Sequence, residues 1–513
     1  MALFKKKGKT FPVMTTYPEY PRFAKRWSVC REVIEGEDIV KEKGEKYLPM
    51  ASHKSKEIQK MRYEAFKMRT PFIPFTYMAY QVQHAMVFRR TPTLVCPDDF
   101  LNSGRLDNVD GKGNSLYQFC SSSFDDLLKT GFGGVLLDMP EAKPGMSVYE
   151  AEKEGIKPYL TYYPAESIIN IIFDNTKGVS KLKLVVLREK MDVYSDEFVL
   201  INRERYRVLS INKDGFYEQR VFTPVYDDDD NITDMTVSVV PVSIRGEQID
   251  YIPFVLLPSD SAEKPPLYDL AMMNIHHYQV MADYYNGLHK VTMPTGYITG
   301  YTPKTDEDGN EDEIVLGDDV FVTEENPDAK FGVLSYAGEG MQHTKEGIDK
   351  IESLIAGIFM KSIAPDKKTS ETAEAAYVHR SGENARLATF SRNVSEKLSQ
   401  IIEWYEEWCG FEGAVEIHLN YDYETMALDP NIINSIANIS GQGKFPLYCV
   451  YYILKQQELI DPDMSFDDYI FLIDQEQLSG ASAQEIYEAF KKRINERDNK
   501  LKGGVMKNEK KAK

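Results

Sequence analysis

The chain is short of cysteine, of long apolar runs and of basic charge, and each shortage removes a class of protein. Five cysteines occur in 513 residues. Cys30, Cys96, Cys120, Cys409 and Cys449 are far apart and odd in number, with no Cys-x-x-Cys among them, which argues against a disulfide-stapled secreted scaffold and a zinc ribbon. Reduced thiols in a cytosolic fold are the expectation. No stretch approaches the ~18 uninterrupted apolar residues of a membrane helix. The opening Met1-Ala2-Leu3-Phe4 runs into Lys5, Lys6 and Lys7 without an apolar core, so neither a membrane span nor a secretory signal is expected. Lys and Arg total 61 against 80 Asp and Glu, a net charge of −19. The molecule as a whole repels nucleic acid and anionic membrane, which disfavours a DNA-coating protein.

What is present is globular in proportion. Apolar residues make up 42% and charged residues 27%, enough for a sizeable core, and ~150 residues per domain gives roughly three domains or one large elaborated one. No repeat of ~20 to 50 residues occurs, against a solenoid. The spacing of Tyr63, Phe66, Met78, Val82, Ala85 and Met86 predicts two helices joined by a bend at Pro71 and Pro74. Leu116, Phe119, Phe124, Leu127 and Leu128 predict a helix over 115–129, a tight turn at Gly131-Phe132-Gly133-Gly134, then a strand from Val135. From Lys157 to about Leu256 the β-rich runs 167–173, 182–187, 197–201, 206–211 and 235–240 predict an antiparallel sheet.

Long helices dominate the second half. The apolar spacing predicts one over 267–290, a second over about 344–361 with weak points at Gly347 and Gly357, and a third over 370–408. At ~1.5 Å per residue the third is about 58 Å long and needs a large structure to lie across. Between the first two, residues 301–330 hold eleven acids and two bases, a net of −9. The tail 491–513 has ten bases and three acids, +7, and is read as partly disordered.

Catalytic motifs fail at required residues. Gly8-Lys9-Thr10 has Leu3 where a P-loop needs its first glycine, and Gly131 to Gly134 lack dinucleotide spacing. Asp306 and Asp308 before Gly309 suggest a calcium loop, but Lys304 and Val315 replace its first and last ligands. Asp227 to Asp230 are consecutive and cannot all converge on one side of a strand. His276 and His277 diverge by ~100° on a helix with no further ligand at metal spacing. Trp404, Tyr405 and Trp408 follow helical core spacing. No catalytic residue, no metal and no cofactor is expected, and the chain is not read as an enzyme.

The order helix, acidic hairpin, helix, short polar loop, very long helix resembles the portal (head-tail connector) proteins of tailed bacteriophages. Local runs carry the resemblance: Tyr47-Leu48-Pro49, Val87-Phe88-Arg89-Arg90-Thr91-Pro92, Gly133-Gly134-Val135-Leu136-Leu137-Asp138-Met139-Pro140, and Pro265-Pro266-Leu267-Tyr268-Asp269-Leu270-Ala271 with Asn274, His276, Tyr278 and Asn286. It spans roughly residues 17 to 415. The resemblance implies an α+β portal fold assembled as a ring: an N-terminal wing over 1–266, stem helices over 267–293 and 341–361, and a clip over 294–340. It further implies a tunnel loop over 362–369, a long wing helix with a following strand over 370–430 and a helical crown over 431–490. The basic tail 491–513 is unassigned.

The function so implied is a DNA channel at one capsid vertex, a homo-oligomer of about twelve subunits. Its partners would be the terminase large subunit, a neck or tail adaptor, the major capsid and scaffold proteins, and double-stranded DNA in transit. It would reside in the virion, and in the host cytoplasm during assembly, with no membrane partner. In the clip, Asp306, Glu307, Asp308, Glu311, Asp312 and Glu313 would bind partners; Lys361, Lys367 and Lys368 at the tunnel loop would touch DNA weakly. An acidic lining presents like charge to phosphates, so DNA passes without being held. Two other readings remain open from the residues alone: a non-enzymatic acidic adaptor for a basic partner, and a metal-dependent hydrolase using Asp227 to Asp230.

Overall fold

The computed structural model describes residues 11–50, 56–140, 155–292, 295–300, 328–357, 373–423, 446–479 and 490–492, apart from 176–177, 179, 197, 228, 230, 245, 335–337, 457–459 and 461–463. The chain divides into two units, Met1–Tyr423 and Glu424–Lys513. In the first, α1 (Tyr20–Glu35), α2 (Glu37–Lys43), α3 (Lys56–Arg69) and α4 (Phe75–Phe88) precede β1 (Thr93–Val95), α5 (Asp98–Leu101) and α6 (Leu116–Thr130). The expected Pro-containing bend falls between α3 and α4. The α6 helix opens with a reciprocal cap, Ser115 accepting from Gln118 N while Gln118 Oε1 accepts from Ser115 N, and closes on Gly131 at φ 69°.

The strand β2 (Gly133–Asp138) begins two residues earlier than expected. Gly133 and Gly134 belong to the ladder because the rings of Tyr162 and Phe254, on neighbouring strands, lie where their side chains would be. Strands β2, β3 (Tyr159–Pro164) and the later β11 (Phe254–Leu257) form an antiparallel sheet in the order β11-β2-β3. β2 is buried along its whole length.

The antiparallel sheet expected from 157 to 256 is present. Strands β4 (Ile168–Asp174), β5 (Lys181–Asp196), β6 (Val199–Ile211), β7 (Tyr217–Tyr226) and β8 (Ile232–Pro241) pair in sequence order. One correction concerns the runs 197–201 and 206–211: 199–201 and 206–211 are parts of the single strand β6. The polar run between them stays in the ladder through Glu189 of β5, whose carboxylate accepts from Arg205 Nε at 2.5 Å and Arg207 Nε at 2.7 Å. Two short strands, β9 (Ser243–Ile244) and β10 (Glu247–Gln248), follow.

The second half supplies α7 (Tyr268–Thr292), β12 (Thr295–Thr299), β13 (Lys330–Leu334), α8 (Glu339–Ile355), α9 (Ala373–Cys409) and β14 (Glu416–His418). The second helix begins at Glu339, five residues before the 344 expected, and the expected end at 358–361 lies outside the described residues. Its last described turn loosens at Ala356 and Gly357, in keeping with glycine's low helix propensity. From Leu387 to Trp408, α9 runs through the core: Leu387, Val394, Leu398, Ile401, Ile402, Tyr405 and Trp408 join one cluster with β2, β11 and β14 residues. In the second unit, α10 (Leu447–Gln456) and α11 (Phe466–Ser479) pack through Tyr451 against Phe466 and Tyr469. Its Ser465 cap accepts from Asp468 N.

Candidate functional site

The candidate site is the stalk formed by α7, the ribbon β12–β13 and α8, because it carries the acidic segment. Its base is rigid for identifiable reasons. The first four turns of α7 bury Ala271, Ile275, Tyr278 and Ala282 in a cluster with Cys30, Val33, Val40, Tyr47, Leu48, Tyr63 and Phe72. Asn274 is fully buried yet satisfied, its Oδ1 accepting from Thr76 N at 3.0 Å and Thr76 Oγ1 at 3.1 Å and its Nδ2 donating to Ile73 O at 2.8 Å. Gln279 Nε2 donates to Tyr47 O at 2.8 Å. Four hydrogen bonds thus hold the base of α7 to the N-terminal segment, three of them to backbone groups. Burial pushes the Tyr278 hydroxyl up to about 12, with smaller effects from Tyr63 and Glu37, so it stays neutral.

Helix α8 lies against α7. Gly287 faces Met341 and Gly338 faces Val291, and a groove of about 330 Å³ remains between the helices where larger side chains would otherwise stand. His277 is completely buried and its Nε2 lies 3.0 Å from Glu352 Oε1, with Phe75 edge-on to the ring. An ionised carboxylate only accepts, so Nε2 carries the proton. His276 and His277 do diverge, the first exposed and the second tying α7 to α8 through Glu352. Among the described residues no group of three His, Cys, Asp or Glu is placed to hold a metal.

Beyond Met281 and Ala282, α7 turns from buried to half-buried or exposed, and the ribbon continues it. Thr295 pairs with Leu334 and Thr299 with Lys330, with Tyr297 opposite Gly332. The Tyr297 ring lies over Gly332, filling the space a side chain there would need. Cross-strand partners share a face, so Tyr297 stands on one side of the ribbon and Phe331 and Val333 on the other; all three are more than half exposed. The sequence reading missed this exposed apolar ribbon, whose signal was the alternation in Tyr297-Ile298-Thr299 and Phe331-Gly332-Val333 on either side of the acids.

Of the residues singled out for function, Asp306, Glu307, Asp308, Glu311, Asp312 and Glu313 lie outside the described residues. So do Lys361, Lys367 and Lys368 and the whole loop 362–369. What is described is their setting: the acids depend from the ribbon ends Gly300 and Asp328, and the lysines follow α8. Asp227 is described, and its Oδ1 accepts from Asn231 N at 2.7 Å and Asp229 N at 3.1 Å. That carboxylate closes the β7–β8 turn.

A family model described as a domain of unknown function (DUF4055) matches residues 266–409, the stretch from the base of α7 to the end of α9. Among solved structures, a chain from the neck of an empty GTA particle computed with C6 symmetry shares 15% identity at a TM-score of 0.33, covering 74% of this chain and 90% of that one. A chain from the neck of a native GTA particle computed with C12 symmetry shares 13% identity at a TM-score of 0.28, covering 73% and 87%. No curated protein matches the sequence.

Proposed function

We propose that this chain is the subunit of a ring-shaped portal through which double-stranded DNA enters and leaves a phage-like capsid. The observation that carries the proposal is the stalk: two helices tied at their base to the folded body, with an exposed ribbon between them bearing a segment of net −9. Eleven acids against two bases concentrate negative charge in the stretch that the ribbon ends bracket. Acidic segments of this kind steer and orient basic partners. In the portal reading those partners are the terminase and the neck or tail adaptor. The chain itself conducts DNA and hydrolyses nothing.

Size decides between this and a monomeric acidic adaptor. Purified protein is expected as rings near twelve times the 58.8 kDa subunit, visible as annuli by negative stain. A particle of one or two subunits at all concentrations would leave the adaptor reading in its place.

A second expectation concerns the acids. Deleting residues 301–330 should leave folding and ring formation intact while abolishing docking of a terminase or adaptor, because thirteen of the thirty deleted residues are charged and only Lys330, at the end of the ribbon, lies in a described strand. Co-sedimentation of ring and partner measures this. Undiminished binding by the deleted protein would remove the partner role from the segment.

A further inference from the structure

The five-stranded sheet has two outer edges, and the chain treats them differently. Along β4, Tyr17 N donates to Ile169 O at 2.9 Å, Ile171 N turns to Asn170 Oδ1 at 3.0 Å, and the register slips after Ile168 and after Ile172. Cover and bulges of this sort blunt an edge against pairing. At the opposite edge, β8 pairs with β7 from Pro241 down to Ile232, with one slip at the Val225/Tyr226 end of β7 and Met235 N turned to Asp234 Oδ1 at 2.8 Å, so what sets the two edges apart is the Tyr17 cover on β4. No strand among the described residues pairs with its other side.

The composition of β8 is also unlike a protected edge. From Met235 to Ile244 no side chain carries charge, in a chain of which 27% is charged. Val237 is 51% exposed and Val239 59%. Val237 stands opposite Phe222, which packs with Met235 against the buried Ile169, Val186, Tyr206 and Val208. The exposed valines therefore extend a buried apolar face outward to an open ladder, with none of the lysines that commonly guard one.

We propose that β8 is a contact surface between copies of this chain, on which a second copy adds a strand. The proposal rests on the ring reading and supplies it with an interface. Charge argues for a second copy as the occupant. Subunits of net −19 repel one another, so they meet where neither must set acid against acid. The uncharged run at a free edge meets that condition. Pairing along it gives main-chain hydrogen bonds, and Val237 and Val239 give apolar area. Two β8 strands meeting about a two-fold axis would close at a dimer, so a ring requires β8 to meet a different strand of the next copy.

The test is the double variant Val237→Lys, Val239→Lys in the full chain, with hydrogen exchange of the wild type beside it. Both side chains are largely solvated, so the circular dichroism of the subunit should be unchanged. The concentration at which rings dissociate should rise at least ~10-fold, and the β8 amides that do not face β7 should exchange slowly in wild-type rings. If the variant misfolds, the wild-type exchange decides alone. Wild-type rings with fast-exchanging outer β8 amides, or variant rings of undiminished stability, would overturn this contact and leave the portal reading standing. A wild type that stays monomeric would overturn both, and a species of only two subunits with protected β8 amides would uphold the contact and overturn the ring.

Discussion

Leu398→Asp should prevent the first unit from folding. Leu398 is completely buried on α9 and belongs to the largest core cluster, with Val394, Ile401 and Ile402 as buried neighbours on the same helix. The substitution removes a leucine from a packed interior, worth ~2–5 kcal/mol, and puts in its place a carboxylate with no partner. An unpaired buried charge adds several kcal/mol or protonates. The sum is comparable with the ~5–15 kcal/mol by which folded domains exceed their unfolded chains. Leu398→Met keeps volume and apolarity and should cost less than ~1.5 kcal/mol. Soluble yield and thermal unfolding of the two variants check this: a Leu398→Asp protein that melts with the wild type would mean that the α9 stripe is not packed as described.

The second large effect is electrostatic. Arg207 on β6 bridges two nearly buried carboxylates: its Nε donates to Glu189 Oε1 at 2.7 Å and its Nη1 lies 3.1 Å from Asp138 Oδ2, also donating to Gln219 Oε1 at 2.7 Å. Tyr163 donates to Glu189 and Gln219 to Asp138, so the network joins the three-stranded and five-stranded sheets. Arg207→Met leaves both carboxylates buried without their shared cation, and should cost ~3–5 kcal/mol.

The dependence on pH separates this cause from simple loss of packing. Burial pushes the Glu189 carboxyl up, but Arg207, Tyr163 and Arg205 together outweigh it, and the group lies below its ordinary value. A depressed carboxyl binds fewer protons folded than unfolded as the solution is acidified. Its contribution is therefore present above the ordinary glutamate pKa of ~4.3 and lost as the pH falls through the lower folded value. Wild-type melting temperature should drop across that window. In Arg207→Met the largest of the lowering effects is gone while Tyr163 and Arg205 remain, so this acid-side loss should become smaller. Parallel pH profiles in the two proteins would show that Arg207 does not set the charge state of Glu189.

The sequence by itself determined the elements whose signal is local. The 3.6-residue spacing in 267–290 and 387–408, the Pro71–Pro74 break and the β-rich runs from 167 to 240 identified helices and strands within a few residues, because one face of each meets the core and its apolar period is the record of that face. It also determined the charge: eleven acids between two apolar helices are legible without coordinates. Tertiary structure alone decided what depends on partners distant in the chain. Gly133 and Gly134 look like a turn until the rings of Tyr162 and Phe254 are seen across the ladder. His277 is one of two adjacent histidines until α8, 75 residues on, brings Glu352 to 3.0 Å. The polar run in β6 reads as a break until Glu189 receives its arginines. Which edge of the sheet stays open is likewise a matter of topology, since Tyr17 covers β4 and no described strand covers β8. Periodicity reports how often a residue meets the interior. Only the fold decides which residue it meets there.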